Sequence, residues 1–232
     1  FLTGAPVNKR QLFLNLTGRP QRNYTAPSPA DSLVYAAAHD NLTLHDNIAH
    51  NLSLDPSDPA QHAEILARCK LANFLVLTAQ GIPFIHGGQE RGRSKPRMAA
   101  RSESIGRFVS NSYSASDSIN RIRWTLNDRE QDLLDFTRGM IHVRRSIPVF
   151  RLGSLSEIES RAALIETQEP LVLAYAVRGD GGRYAVVVNA DTEPHRVALG
   201  IPLGKARLLT DGIAVWREGI PVPRELAVRA DR

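Results

Sequence analysis

Two short apolar runs constrain the fold of this chain more than any other feature. Residues 33–38 read Leu-Val-Tyr-Ala-Ala-Ala and stop abruptly at His39, Asp40 and Asn41. Residues 82–85 read Ile-Pro-Phe-Ile and stop at His86, followed by Gly87, Gly88, Gln89 and Glu90. One long apolar helix pattern separates them, so the unit reads strand, helix, strand, with a polar loop after each strand. Continuous apolar strands suit a sheet covered on both faces, as parallel sheets are. Polar groups at the carboxyl ends of such strands are where α/β barrels hold their chemistry.

The helix between the runs is punctuated. Asp58 fits the N-cap, Pro59 the first helical position, and Gly81 follows the end. Its body, residues 61–80, sets Leu66, Phe74, Leu75 and Leu77 among small residues. Pro83 removes a ladder donor but is tolerated near a strand start. A second helix is expected over residues 127–146, where Leu133, Leu134, Phe136, Met140, Ile141 and Val143 recur at helical spacing and Pro148 follows. Residues 1–32 read as an irregular polar lead-in with an apolar patch at Leu12, Phe13 and Leu14. Residues 41–55 read as a loop with a helical turn, and 87–127 as a long loop. Loops of that length are usually functional or disordered.

After residue 151 the pattern changes to short β-rich runs at 162–166, 171–177, 184–189, 196–199 and 206–210, with turns at 179–182 and 191–194. This predicts an antiparallel β-sandwich over residues 152–232, behind an α/β segment over 1–151. One count decides the architecture of that first segment. A complete eight-stranded barrel takes about 250 residues, whereas only two strand–helix units precede the β-rich part. Two parallel strands cannot close a barrel. The expectation is therefore the last two strand–helix units of a (β/α)8 TIM barrel, whose first six lie elsewhere.

Composition excludes several functions. The 232 residues are 42% hydrophobic, with mean hydropathy −0.25, which fits a globular chain with a core. No apolar run approaches the roughly 20 residues a membrane span requires. Residues 1–22 carry no signal-peptide pattern, and the chain begins without Met, so the compartment stays open. A net charge of +5 and a pI near 9.7 raise nucleic acid as a partner. The basic residues are dispersed, however, and the densest stretch, 91–107, has no aromatic until Phe108, so it reads as a solvated basic loop. Neither nucleic acid nor membrane is expected as a partner. The single Cys69 excludes an internal disulfide and a zinc cluster, and reads as a buried helix thiol. Four Asn-x-Ser/Thr sequons, at Asn15, Asn23, Asn41 and Asn51, read as chance; a glycan on Asn41 would block the polar loop.

The ordered set of motifs goes further. His39-Asp40-Asn41 with Thr43-Leu44, then Gly81-Ile82-Pro83-Phe84-Ile85-His86-Gly87-Gly88-Gln89-Glu90, then Asn111-Ser112-Tyr113 and Ser116-Asp117-Ser118-Ile119-Asn120, resembles the alpha-amylase superfamily (glycoside hydrolase family 13). Within it, the spacings resemble the type I pullulanase branch. The resemblance covers residues 7–151 well and the remainder only by architecture. A bare His-Asp-Asn triplet at a strand end is more often a local hydrogen-bonded loop; the downstream motifs give it weight. This chain departs from the branch in a longer basic insertion before Asn111, and in Ala115-Ser116 where a proline is usual.

The resemblance implies part of a retaining α-glucan debranching hydrolase, cutting α-1,6-glucosidic links in pullulan, amylopectin or glycogen-derived dextrins. Retaining glycosidases use two carboxyl groups about 5 Å apart. In this superfamily those come from the fourth and fifth barrel strands, outside this chain, which alone is expected to be inactive. Asp40 matches the third carboxylate, which stabilises the transition state, and His39 the histidine that bonds sugar hydroxyls. Asn41, Asn111, Tyr113, Asp117 and Asn120 match the substrate side, although Asn41 could equally cap its loop, and Asp117 and Asn120 could equally be turn-makers. His86 and Glu90 read as structural, since two donors without a third make a poor metal site. No metal and no cofactor are implied by these residues; a calcium site in the parent enzyme is not legible here. The implied partners are an α-glucan and the missing N-terminal part of the same enzyme. The alternatives are an isoamylase-like or other amylase-superfamily glycosidase, or a non-catalytic glucan-binding fragment. In the β-rich part, Tyr175 and Tyr184 read as core and Trp216 as a surface platform.

Overall fold

The computed structural model describes residues 1–21, 24–98, 103–200 and 205–222. The sequon at Asn23, residues 99–102 of the basic stretch and residues 201–204 and 223–232 of the expected sandwich lie outside the described residues.

Among its described residues the lead-in is irregular apart from one helix and a short 3-10 turn, Pro29–Asp31. Helix α1 (Lys9–Leu16) starts where the Asn8 side chain accepts from the Gln11 N–H at 2.9 Å, and it buries Phe13, Leu14 and Leu16. Two turns are too few for periodicity to show, so the apolar patch alone marks it. Strand β1 (Leu33–Val34) pairs in parallel with β2 (Ile82–Pro83), Leu33 opposite Ile82 and Val34 opposite Pro83. Both are shorter than expected. Ile82 N–H donates to the Ser32 carbonyl and Phe84 N–H to that of Val34, each at 2.9 Å. Donors toward one neighbour alternate along a parallel strand, so Pro83 falls where this neighbour needs no N–H.

The alternation also sorts the faces. Val34 and Ile85 pack on the core, while Leu33, Tyr35, Ile82 and Phe84 are 53, 54, 49 and 37% exposed. The Tyr35 and Phe84 rings meet edge to face at 6.1 Å. The open side of this strand pair is therefore apolar.

Residues 41–55 hold more than a turn. Helix α2 (Leu44–Asn51) is capped by Thr43, whose hydroxyl accepts from Asp46 N–H. Helix α3 (Pro59–Thr78) begins at Asp58, whose carboxylate accepts from Ala60 and Gln61 N–H at 2.9 Å. Within the long 87–127 stretch lie a hairpin, β3 (Ser104–Ile105) and β4 (Phe108–Val109), and a short helix, α4 (Asp117–Asn120). Helix α5 (Asp128–Ser146) opens with a reciprocal capping box between Asn127 and Glu130.

Helices α3 and α5 pack together around a buried polar chain. Asn73 Nδ2 donates to Thr137 Oγ1 at 2.9 Å, and Gln89 Nε2 donates to Asn73 Oδ1 at 2.6 Å. Buried Arg144 on α5 donates to the carbonyls of Leu77, Ala79 and Gly81, covering the otherwise unpaired end of α3. Burial pulls its pKa down to about 10.

Helix α6 (Leu155–Arg161) was not expected from the sequence; seven residues capped by Ser154 are again too short to read. It leads into β5 (Ala162–Ile165), β6 (Val172–Gly179) and β7 (Gly182–Asn189), an antiparallel sheet in that order. A second ribbon pairs β8 (Arg207–Thr210) with β9 (Val215–Pro221), the latter unexpected because Gly219 and Pro221 interrupt its pattern. Residues 196–199 form no strand among the described residues. They follow a turn closed by His195 and Asp191, 2.8 Å apart.

One hydrophobic core joins the two halves: Phe13, Leu75, Phe136, Met140 and Val143 share it with Leu173, Tyr175, Val177 and Val186. Tyr175 is core, as expected, and Tyr184 packs against it; Trp216 lies on β9, half-buried rather than on an open platform. Gln80 pins the joint between the halves. Its amide donates to the Val149 carbonyl at 2.6 Å and accepts from Leu152 N–H at 2.9 Å. The architecture is mixed helix and sheet, with small antiparallel sheets beside one parallel strand pair.

Candidate functional site

The loop after β1 and the long loop after β2 meet over a cleft of about 700 Å³. His39, Asp40 and Asn41 line it from one side and Asn111, Tyr113 and Asn120 from the other. Asp117 does not line it. As the first residue of α4 it is exposed, and its main-chain carbonyl accepts from Arg121 N–H.

His39 and Asp40 sit side by side, Nε2 to Oδ1 at 3.4 Å, with side chains 83 and 90% exposed. Asn41 adopts a left-handed backbone, φ +65°, a region that Asn tolerates better than most residues. Its side-chain oxygen accepts from Leu42 N–H at 2.9 Å, so part of the amide is used in shaping the loop. Across the cleft, Asn111 Oδ1 accepts from Tyr113 N–H at 3.3 Å, while the Tyr113 side chain is 98% exposed. Asn120 Nδ2 donates to the carbonyls of Ser112 and Ala115 at 2.7 and 3.1 Å, bracing this loop from within.

The cleft also contains residues that the sequence does not single out. Lys95, 1% exposed, donates to the Asn41 carbonyl, the Ser110 carbonyl and the Ser112 hydroxyl. Arg93 donates to the carbonyls of Gly87 and Asn120. The basic stretch is therefore not a uniformly solvated loop. Its first part turns inward because buried Asp46, 0% exposed, accepts the Lys95 N–H at 2.7 Å and draws the backbone under α2. Asp46 Oδ1 lies 3.0 Å from His45 Nδ1, a buried pair. His86 also lines the cleft; burial, with help from Arg93, Lys95 and His39, lowers its pKa and favours the neutral ring. Glu90 is tied into its own turn through the Gly88 N–H at 3.0 Å.

The lining suits a neutral, polyhydroxylated ligand. It offers carboxylates from Asp40 and Glu103, amides from Asn41 and Asn111, hydroxyls from Ser110 and Ser112, imidazoles, and an exposed aromatic ring. A carboxylate as open to water as Asp40 is a weak electrostatic stabiliser: at 4 Å an opposite charge gains about 1 kcal/mol in water, against about 4 at an effective dielectric of 20. Covering Asp40 would raise its effect several-fold. No group of His, Cys, Asp and Glu suited to a metal occurs among the described residues, and none of their helices is long and apolar enough to cross a membrane.

No protein-family model matches the chain. Comparison with curated proteins finds Pullulanase A of Streptococcus pneumoniae, 35% identical over 266 aligned positions that take in 97% of this chain and 21% of that protein. Among solved structures, the catalytic module of SpuA, a multi-modular glycogen-degrading pneumococcal virulence factor, is 34% identical with a TM-score of 0.87, over 97% of this chain and 37% of the other. The Group B Streptococcus pullulanase SAP, solved with maltotetraose, is 35% identical with a TM-score of 0.86, over 97% and 33%. The chain thus spans about a fifth of the length of the curated relatives it matches.

Proposed function

This chain belongs to the pullulanase family, and we propose that it works as part of an α-glucan debranching hydrolase that cleaves α-1,6-glucosidic links with retention. In this reading residues 1–151 are the last two strand–helix units of a (β/α)8 barrel and residues 152–232 a C-terminal β-sandwich. The nucleophile and general acid come from strands outside this chain. The open apolar face of Leu33, Tyr35, Ile82 and Phe84 is the surface that those strands cover.

Asp40 is the carboxylate that faces the oxocarbenium-like transition state, and His39 bonds hydroxyls of the same sugar. Positive charge develops only as the glycosidic bond breaks, so an ionised Asp40 in a closed site favours the transition state over the bound substrate. Asn41, Asn111, Tyr113 and Asn120 flank the neighbouring sugars. Asp117 acts through the helix that carries Asn120. Glycogen-type and pullulan-type chains are the substrates, and no organic cofactor is required. One observation carries this function: two motifs about 70 residues apart in sequence, His39–Asn41 and Asn111–Tyr113, face each other across one cleft.

The test is Asp40→Asn in the enzyme that contains this sequence. Turnover of pullulan should fall about 100-fold or more, with maltotetraose binding partly retained. A near-normal rate would remove Asp40 from catalysis. A second reading is a glucan-binding unit without cleavage, which the amides, hydroxyls and exposed Tyr113 ring of the lining would also serve. Maltotetraose binding by an enzyme with no detectable hydrolysis of pullulan would support that reading instead.

A further inference from the structure

Lys95 is a buried ammonium whose three donors reach acceptors on two different loops. Nζ lies 2.6 Å from the Asn41 carbonyl, 3.3 Å from the Ser110 carbonyl and 3.3 Å from Ser112 Oγ. A lysine ammonium has three N–H donors and no acceptor, so its donor capacity is filled by these contacts. The first loop is the one that carries His39 and Asp40; the second carries Asn111 and Tyr113. We propose that Lys95 is the positioning residue that holds these two loops in one register across the cleft.

The arrangement is built rather than incidental. Asp46 takes the Lys95 backbone N–H at 2.7 Å, His45 buttresses Asp46, and Val109 N–H donates to the Lys95 carbonyl at 2.8 Å. The main chain at Lys95 is thus pinned to α2 and β4 before its side chain reaches the loops. Asn41 has a left-handed backbone and lies outside any helix or strand, so the Lys95 bond to its carbonyl acts on an irregular turn. Burial pushes the ammonium's pKa below that of an ordinary lysine; Asp46 and Asp40 push it back up and Arg93 pushes it further down. A buried charge held by two carbonyls and a hydroxyl makes removal of any one acceptor costly.

The inference rests on the glucan-cleaving reading only for its catalytic consequence; the tie itself stands on geometry. It is tested first by amide exchange in the enzyme that contains this sequence, on Lys95→Met, which keeps most of the length of the side chain and removes its donors. Residues 39–43 and 110–113 should both exchange at least about tenfold faster, with α3 and α5 unchanged. An unchanged rate in either segment would overturn the proposal, as would an equal rise across α3 and α5, which marks general loosening. Ser112→Ala removes the one side-chain acceptor and should give the same two-segment pattern at smaller size, so the test holds even where Lys95→Met does not fold.

In the enzyme, Lys95→Met should lower kcat more than it raises KM, because the loss falls on a group that acts in the transition state. A rise in KM alone would overturn the positioning role. If Asp40→Asn is kinetically silent while Lys95→Met still loosens both loops, the tie stands and the glucan-cleaving reading falls.

Discussion

Gly139 on α5 lies so close to Val215 on β9 that a Cβ on the glycine would stand 2.7 Å from the Val215 Cβ. Here the β8–β9 ribbon presses against the helix that also forms the floor of the core. Alanine at this position gains about 1 kcal/mol of helix propensity. It must also push a β-branched side chain off its contact, and such overpacking costs about 1–3 kcal/mol. The steric cost wins. Gly139→Ala should lower the denaturant midpoint, and an unchanged or higher midpoint would mean that the ribbon does not sit on α5 in solution.

Asn41 offers a cleaner separation of backbone from side chain. At φ +65° a residue other than Gly, Asn or Asp is penalised by about 1–2 kcal/mol. Asn41→Gly should therefore keep the left-handed backbone and lose only about 0.5–1.5 kcal/mol with the Leu42 bond. Asn41→Val should lower thermal stability and displace the Lys95 contact. Equal melting temperatures for the two variants would show that the left-handed turn relaxes without cost.

Asp55 supplies a prediction in pH. The Ser57 N–H and hydroxyl, together with the Arg107 guanidinium, bond its carboxylate and hold its pKa down to about 2. A depressed folded-state pKa contributes stability that is present above the ordinary carboxylate value of about 3.9, and that is lost as pH falls toward 2. NMR titration of the Asp55 carboxyl should give a midpoint well below that of an unstructured aspartate. Asp55→Asn should remove this acid-sensitive tie between the start of α3 and the β3–β4 turn. An ordinary midpoint would show that the Ser57 and Arg107 bonds are not formed in solution.

What could be read from residues alone follows the range of the forces involved. Asp58, Pro59 and Gly81 mark α3 to within a few residues, because caps are local chemistry, and the helical spacing from Leu133 to Val143 with Pro148 beyond it marks α5. Helices α1 and α6 escape notice because each has about two turns and takes its stability from tertiary contacts, such as Phe13 against Tyr175. His39 and Asp40 can be picked out because they end an apolar strand, and Asn111 and Tyr113 because the family resemblance implies them. Lys95 cannot. It stands in a run of basic residues indistinguishable from a solvated loop until Asp46, 49 positions earlier, is seen to take its N–H. Asp117, left open between the sugar side and a turn, is the first residue of α4 and is not among the residues that line the cleft.

The contact between Phe13 and Tyr175, ring centroids 5.6 Å apart, has a consequence for how the chain is made. At a synthesis rate of about 5–20 residues per second, Phe13 waits roughly 10–30 s for the tyrosine that covers it, some 160 residues later. Over that interval α1 lacks the sheet side of its packing, and within this sequence only residues such as Leu75 on α3 and Phe136 on α5 are made in time to share its core. Slowing translation between α1 and β6 should therefore lower the folded yield of the protein that contains this sequence, and an unchanged yield would mean that this pairing can wait.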